Sequence, residues 1–231
     1  MIYAFLRWLA RRIAGTVLAG ILSIEGREKV PRTGALLVCP NHIGTVDPPL
    51  VPAYLPRGDS WSMAKSEYFA NPGFTRWIFT AYQAFPVVRH TADRAALRRA
   101  FALLNDGHAL VVYPEGTRVE AGVLAEPEPG AGFLALRSQA PVLPVAITGT
   151  QYALPKGRII PTRHPVRIAF GRPFRVRQQH PDGRRVRPAE ATDAIMLTIA
   201  EMLPPQQRGR YADLEAVRAR VGALREYEPE S

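Results

Sequence analysis

Cysteine, lysine and long apolar runs are all scarce in this 231-residue chain. The single cysteine, Cys39, excludes an internal disulfide framework, leaves no zinc-binding spacing, and suits a reducing compartment. It stands in an apolar run and reads as a buried strand thiol. Only Lys29, Lys65 and Lys156 are lysines, so the net charge of +10 and the pI near 10.3 rest almost wholly on arginine. That balance points to an anionic partner: nucleic acid, an anionic membrane surface or a phosphorylated substrate. No basic run interleaved with aromatics and no recognition motif is present, so no nucleic-acid partner is expected. The charge-free run Ile13 to Ser23 is too short for a bilayer span, which takes about 20 residues. No small-residue cleavage site follows it, since Ile24-Glu25-Gly26-Arg27 supplies none.

What is present is a globular composition. Hydrophobic residues make up 47%, enough for one sizeable core. Continuous apolar runs at 35–39, 109–113, 142–147 and 166–170, with shorter ones at 61–64 and 84–88, read as strands. Helical patterns lie between and after them: 71–80, a helix capped by Thr91 and stopped by Gly107, 132–139, a late helix around Ile195 to Leu203, and a charged one at 212–226. The alternation predicts an α/β fold with a mostly parallel central sheet flanked by helices. The Pro-, Glu- and Gly-rich stretch 121–130 predicts a mobile loop.

The amino terminus is set apart. Ile2, Phe5, Leu6, Leu9, Ile13 and Val17 fall on one helical face, with Arg7 and Arg11 roughly opposite and Arg12 at a border. Trp8 and Tyr3 carry rings suited to a bilayer interface. Residues 1–24 are therefore expected to form an amphipathic membrane-interface helix region, held by arginines on anionic lipid, and residues 25–231 the α/β domain. Docking of that helix on the domain is the competing reading.

Asn41-His42 and Asp47 follow the 35–39 strand, and Asp47-Pro48-Pro49 reads as a helix start with Asp47 as N-cap. Strand ends of this kind collect reactive groups in α/β folds. Imidazole titrates near neutrality, and a carboxylate can fix its tautomer and stabilise its protonated form.

Four segments then line up in order: Asn41-His42-(four residues)-Asp47; Phe85-Pro86-Val87-Val88-Arg89; Tyr113-Pro114-Glu115-Gly116-Thr117-Arg118; and Val142-Leu143-Pro144-Val145-Ala146-Ile147. This arrangement resembles the glycerophospholipid acyltransferase superfamily, of the 1-acylglycerol-3-phosphate (lysophosphatidate) acyltransferase type, over roughly residues 25 to 212. Leu203-Pro204-Pro205-(two residues)-Arg208-Gly209 is similar to the family's ending. Three positions depart. Gly44 stands where many members have Ser, Gln83 where the second block often has Gly, and Glu128-Pro129-Gly130 lacks a common basic residue.

The resemblance implies transfer of a fatty acyl group from acyl-CoA or an acyl-carrier protein to a lysophospholipid hydroxyl. It implies no cofactor and no metal, and a peripheral or monotopic place on the cytoplasmic face of the cell membrane. The residue chemistry fits beside it. An alcohol needs a general base, which His42 can supply with Asp47 as its orienter. A thiolate of pKa near about 8.5 leaves readily, so no acyl-enzyme and no G-x-S-x-G serine is required. Arg89 and Arg118 follow strands on either side of the 91–106 helix, and if those strands are neighbours both can reach one phosphate, with Lys65 adding a charge. Glu115 is expected to hold Arg118 or the acceptor's glycerol, or else to be a structural turn carboxylate. With Gly116 and Thr117 it forms the expected substrate-positioning turn, and oxyanion donors are expected near Gly116 or Gly44. Two alternatives stay open: another lysophospholipid or an amino-acid lipid as acceptor, and a non-catalytic lipid-binding protein on the same fold.

Overall fold

The computed structural model describes residues 1–89, 91, 93–119, 122–155 and 162–227. Helix α1 (Ile2–Val17) leads into strand β1 (Leu22–Glu25) and then β2 (Leu36–Pro40). Next come α2 (Asp47–Tyr54), β3 (Ser60–Lys65), α3 (Phe74–Ala81), β4 (Ala84–Val87), α4 (Arg94–Asn105) and β5 (Ala109–Val111). The second half adds α5 (Gly130–Ser138), β6 (Val142–Thr148), the single turn α6 (Thr150–Ala153), β7 (Val166–Phe170) and β8 (Phe174–Val176). It closes with α7 (Pro188–Met202), α8 (Leu214–Val221) and β9 (Arg225–Tyr227).

The strands pair in the order β1-β7-β6-β2-β5-β3-β4, with β8 on β6 and β9 on β8. From β6 to β4 every pairing is parallel. β7 runs against β6, and β1 lies parallel to β7. The mostly parallel sheet expected from the sequence is therefore what forms. Every residue of β2 is buried, which is why its sequence is continuously apolar rather than alternating. Leu36 and Val38 pack with Ala14 of α1 and Leu50, Val51 and Leu55 of α2. Leu37 and Cys39, on the opposite face, pack beneath α4, α5, α7 and α8 through Leu103, Leu134, Ile195 and Val217. The parallel strands share one direction, so the loops after β2, β3, β4, β5 and β6 gather at one end of the sheet.

Several boundaries differ from the sequence reading. Asp93, not Thr91, caps α4: its Oδ1 accepts the N–H groups of Ala95 and Ala96, each at 3.0 Å, while Thr91 Oγ1 donates to the Val88 carbonyl. The charged 212–226 segment divides into α8 and the edge strand β9. β1, β8 and β9 lie outside the runs that read as strands in the sequence: they are short strands without a continuous apolar run, and β1 straddles the boundary expected at residue 24.

Helix α1 is amphipathic, but it docks by its polar side. Its buried residues are Tyr3, Arg7 and Ala14. Arg7 Nε donates to the Pro52 carbonyl at 2.8 Å and its Nη2 to that of Leu55, so one guanidinium satisfies carbonyls at the carboxyl end of α2. Tyr3 hydroxyl bonds Ser60. Arg7 is thus a docking peg inside the protein, which corrects its expected placement on lipid. The face left outside is apolar: Ile2, Phe5, Trp8, Ile13 and Val17 are all exposed.

Candidate active site

The site is assembled from the loops after β2 and β5. Asn41 fixes the first: its Nδ2 donates to the Ile147 carbonyl at 3.0 Å, and its Oδ1 accepts the Ile147 N–H at 2.7 Å. The first block is thereby clipped to the strand of the fourth. His42 follows, with Nδ1 2.9 Å from Asp47 Oδ2. The same oxygen accepts the N–H groups of Ile43 at 2.8 Å and Gly44 at 2.6 Å. Asp47 is the first residue of α2 and Val46 its N-cap, so the carboxylate turns back onto the loop instead of capping the helix. With the Nδ1 proton directed to the carboxylate, Nε2 keeps its lone pair. The imidazole is 12% exposed and the carboxylate 0%, so the base has an opening and its orienter has none.

The second loop holds the first. Glu115 is buried, and its Oε2 accepts the backbone N–H of His42 at 2.8 Å while Oε1 accepts that of Ala125 at 3.0 Å. Neither bond involves Arg118; both tie the turn to neighbouring backbone, in keeping with the structural alternative for this carboxylate. Burial pushes the Glu115 carboxyl up to about 7; its two N–H bonds oppose that rise and the Asp47 charge adds to it. Val119 N–H donates to the His42 carbonyl at 2.8 Å, and Arg118 Nη1 to Thr45 Oγ1 at 2.7 Å. The Tyr113 ring lies 4.4 Å from the imidazole. Residues 122–129, expected to be mobile, are tied at Leu124 to Gln207 and at Glu128 to Pro114 (Ala121 lies outside the described residues).

Next to Tyr113 opens a cavity of about 730 Å³. Met63, Val87, Leu97, Val112, Phe133 and Leu134 make it apolar, and Lys65 and Arg89 stand on its wall with Tyr113 and Gly116. Arg118 is not in that wall among the described residues. The reason is topological: β3 lies between β4 and β5, so the strands preceding Arg89 and Arg118 are not neighbours. Lys65, at the end of the intervening strand, takes the place beside Arg89 that Arg118 was expected to fill, and pairs with Glu67 at 2.8 Å. Gly116 sits at φ +66, where an added Cβ would come within 2.9 Å of Glu128. Thr117 is exposed. The expected oxyanion donors are committed elsewhere, Gly44 N–H to Asp47 and Gly116 N–H to the Tyr113 carbonyl. Cys39 is a core thiol, as expected, and burial pushes its pKa far up.

A model of the acyltransferase family matches residues 21–148, more than half of the chain. The chain belongs to the acyltransferase family. Relatives named 1-acyl-sn-glycerol-3-phosphate acyltransferase occur in Cocos nucifera, 27% identical over 69% of this chain, and in Bacillus subtilis, 24% identical over 80% of it. The match covers 51% of the coconut protein and 89% of the bacterial one, so the chain spans about half the length of the former. The fold is also that of the solved 1-acyl-sn-glycerophosphate acyltransferase PlsC of Thermotoga maritima, with a TM-score of 0.67, 25% identity, 94% of this chain and 80% of that one.

Two departures from the family's pattern have visible causes. A Cβ on Gly44 would lie 2.5 Å from Thr150 Oγ1 and 2.6 Å from Thr150 Cβ, so threonine at 150 leaves no room for the serine common at 44. Gln83 sits at φ +56, the left-handed region that glycine adopts most readily, which accords with the glycine expected at this position from the resemblance. Sequence reasoning missed the roles of Asn41, Thr45 and Tyr113. Each lies within or beside a recognised block, but its partner is distant in sequence.

Proposed function

We propose that this chain transfers a fatty acyl group from an acyl thioester, either acyl-CoA or acyl-carrier protein, to the free glycerol hydroxyl of lysophosphatidate, giving phosphatidate for phospholipid synthesis. The observation that carries the reading is the His42–Asp47 bond of 2.9 Å; the imidazole lies 4.4 Å from the ring of Tyr113, which in turn lines the apolar cavity bearing Lys65 and Arg89. Nε2 of His42 takes the hydroxyl proton as the oxygen attacks the thioester carbonyl. Asp47 holds the ring through Nδ1 and stabilises the imidazolium. The tetrahedral intermediate collapses with C–S cleavage, and the thiolate leaves with the proton returned from Nε2. Arg89 and Lys65 supply cationic donors for the acceptor's phosphate, and the apolar walls suit an acyl chain. The named relatives support the acceptor class.

The outward face of α1 supports a peripheral or monotopic seat on a membrane, which we propose is the cytoplasmic face of the cell membrane. No helix among the described residues is long and apolar enough to cross a membrane. Both substrates carry long chains, so a site held at a bilayer surface meets them where they reside.

Thiol release from an acyl thioester in the presence of lysophosphatidate tests the proposal. Wild type should release thiol, and His42→Ala should be slower by at least about 10²-fold. No release by wild type, or equal release by the variant, overturns it.

A further inference from the structure

Helix α3 turns its apolar side largely outward. None of its 8 residues is buried, although Phe74, Trp77, Ile78 and Ala81 form an i, i+3, i+4, i+7 apolar stripe. A helix on a water-facing surface turns such a stripe inward; here Phe74 is 74% and Trp77 49% exposed, with ring centroids 5.8 Å apart. Arg76, also exposed, projects from the other side of the helix. Tyr68, exposed just before the helix, stacks on Phe79 at 4.5 Å.

The neighbours of α3 continue this surface. Tyr82, the residue after the helix, meets Tyr3 of α1 edge-on at 5.6 Å, so the two helices stand side by side. Beyond α3 runs β4, and Val88 at its end is both exposed and part of the cavity wall. Exposed apolar side chains thus extend from α1, over α3, to the rim of the cavity.

We infer that α3 is a second membrane-contact element, which with α1 seats the cavity rim against an anionic bilayer surface. The side-chain chemistry selects this occupant. Trp, Tyr and Phe rings favour the headgroup boundary, and Arg12, whose guanidinium lies 5.5 Å from the centre of the exposed Trp8 ring, meets lipid phosphates there. A second copy of the chain fits poorly, because a two-fold contact through this surface would bring Arg12 towards its own copy on a protein of net charge +10. The inference rests on the membrane reading of α1 and not on the acyl-transfer reading.

The three tryptophans, Trp8, Trp61 and Trp77, allow a direct test. Two full-length variants are compared: Trp8→Phe with Trp61→Phe, which leaves Trp77, and Trp61→Phe with Trp77→Phe, which leaves Trp8. Each is mixed with vesicles of phosphatidylcholine and phosphatidylglycerol whose acyl chains are brominated. Trp77 fluorescence should be quenched, and Phe74→Ser with Trp77→Ser in the otherwise native chain should partition onto vesicles roughly tenfold more weakly. That double variant should keep its circular dichroism and its thiol release on detergent-dispersed substrates, because neither side chain is buried. Quenching of Trp8 without Trp77, or unchanged partition of the double variant, overturns the role of α3. Quenching of neither overturns the membrane reading of α1 as well, while thiol release separately decides the enzymatic one. Concentration-dependent dimerisation that shields Trp77 without vesicles also overturns the inference.

Discussion

At the scale of single residues, the site is a set of short polar bonds that each need one side-chain type. Asn41 can clip Ile147 because its side-chain amide carries a carbonyl acceptor and an N–H donor side by side, matching the backbone N–H and C=O of one residue. Asp47 can serve His42 and two backbone N–H groups because one carboxylate oxygen accepts several bonds. Gln83 is the opposite case, a residue held in a conformation its type disfavours. A left-handed backbone costs a non-glycine residue on the order of 1–2 kcal/mol. Its Oε1 is buried and has no hydrogen-bond partner among the described residues. Gln83→Gly is therefore expected to stabilise the protein by about 1 kcal/mol in urea unfolding, the greater chain freedom of glycine offsetting part of the gain. A loss of stability would show that the glutamine side chain contributes packing that outweighs its backbone strain. At this scale the sequence was legible where chemistry is contiguous: His42 and Asp47 are joined as their spacing predicts. It was not legible where the partner is remote, as for Glu115, which looks in sequence like a companion of Arg118 and in the fold grips His42.

At the scale of elements, the loops after β2 and β5 act as one unit. Glu115, Val119 and Arg118 of the second loop bind His42 twice and Thr45 once. Arg89 has a different setting, on the cavity wall. The two arginines should accordingly fail differently. Arg89→Ala should raise KM for phosphate-bearing acceptors roughly 10- to 100-fold with kcat little changed, since it removes one charge-assisted contact worth about 1.5–3 kcal/mol. Arg118→Ala should lower kcat as well, because the loop between base and orienter loses its brace. Identical KM-only effects from both variants would return Arg118 to the phosphate site. Strand order decides this difference, and strand order is what a single sequence conveys least: β3 between β4 and β5 follows from pairing that no local pattern encodes.

The same clamp makes stability depend on pH. The Glu115 carboxyl lies near 7 in the folded chain, against 4.5 for the ordinary group. A raised carboxyl pKa means the folded state holds its proton more tightly than the unfolded one. The stabilisation is full below about pH 4.5 and is lost as pH rises through about 7, by on the order of 3 kcal/mol. Melting temperature should fall between about pH 5 and 8, and Glu115→Gln, which cannot ionise, should flatten that slope. An equal slope in the variant would assign the dependence to another group.

At the scale of the whole molecule, the sequence showed the architecture well and its orientation poorly. Buried parallel strands announce themselves as continuous apolar runs, and those of β2, β5, β6 and β7 are found where the runs are. The amphipathic pattern of α1 was equally plain, yet periodicity cannot tell which face meets protein. Here Arg7 fills the end of α2, and the apolar stripe is left outside. Docking, which read as an alternative to membrane contact in the sequence, occupies the inner face alone; under the proposed membrane seat the exposed outer face is the one that meets lipid. That division predicts a double dissociation. Arg7→Ala leaves buried carbonyls of α2 without donors and should destabilise the chain by about 1–3 kcal/mol in urea unfolding. Phe5→Ser with Ile13→Ser touches only exposed positions, so unfolding should be nearly unchanged while vesicle sedimentation drops severalfold. If the serine pair instead lowered stability and left sedimentation intact, the outward face of α1 would be covered by protein rather than lipid.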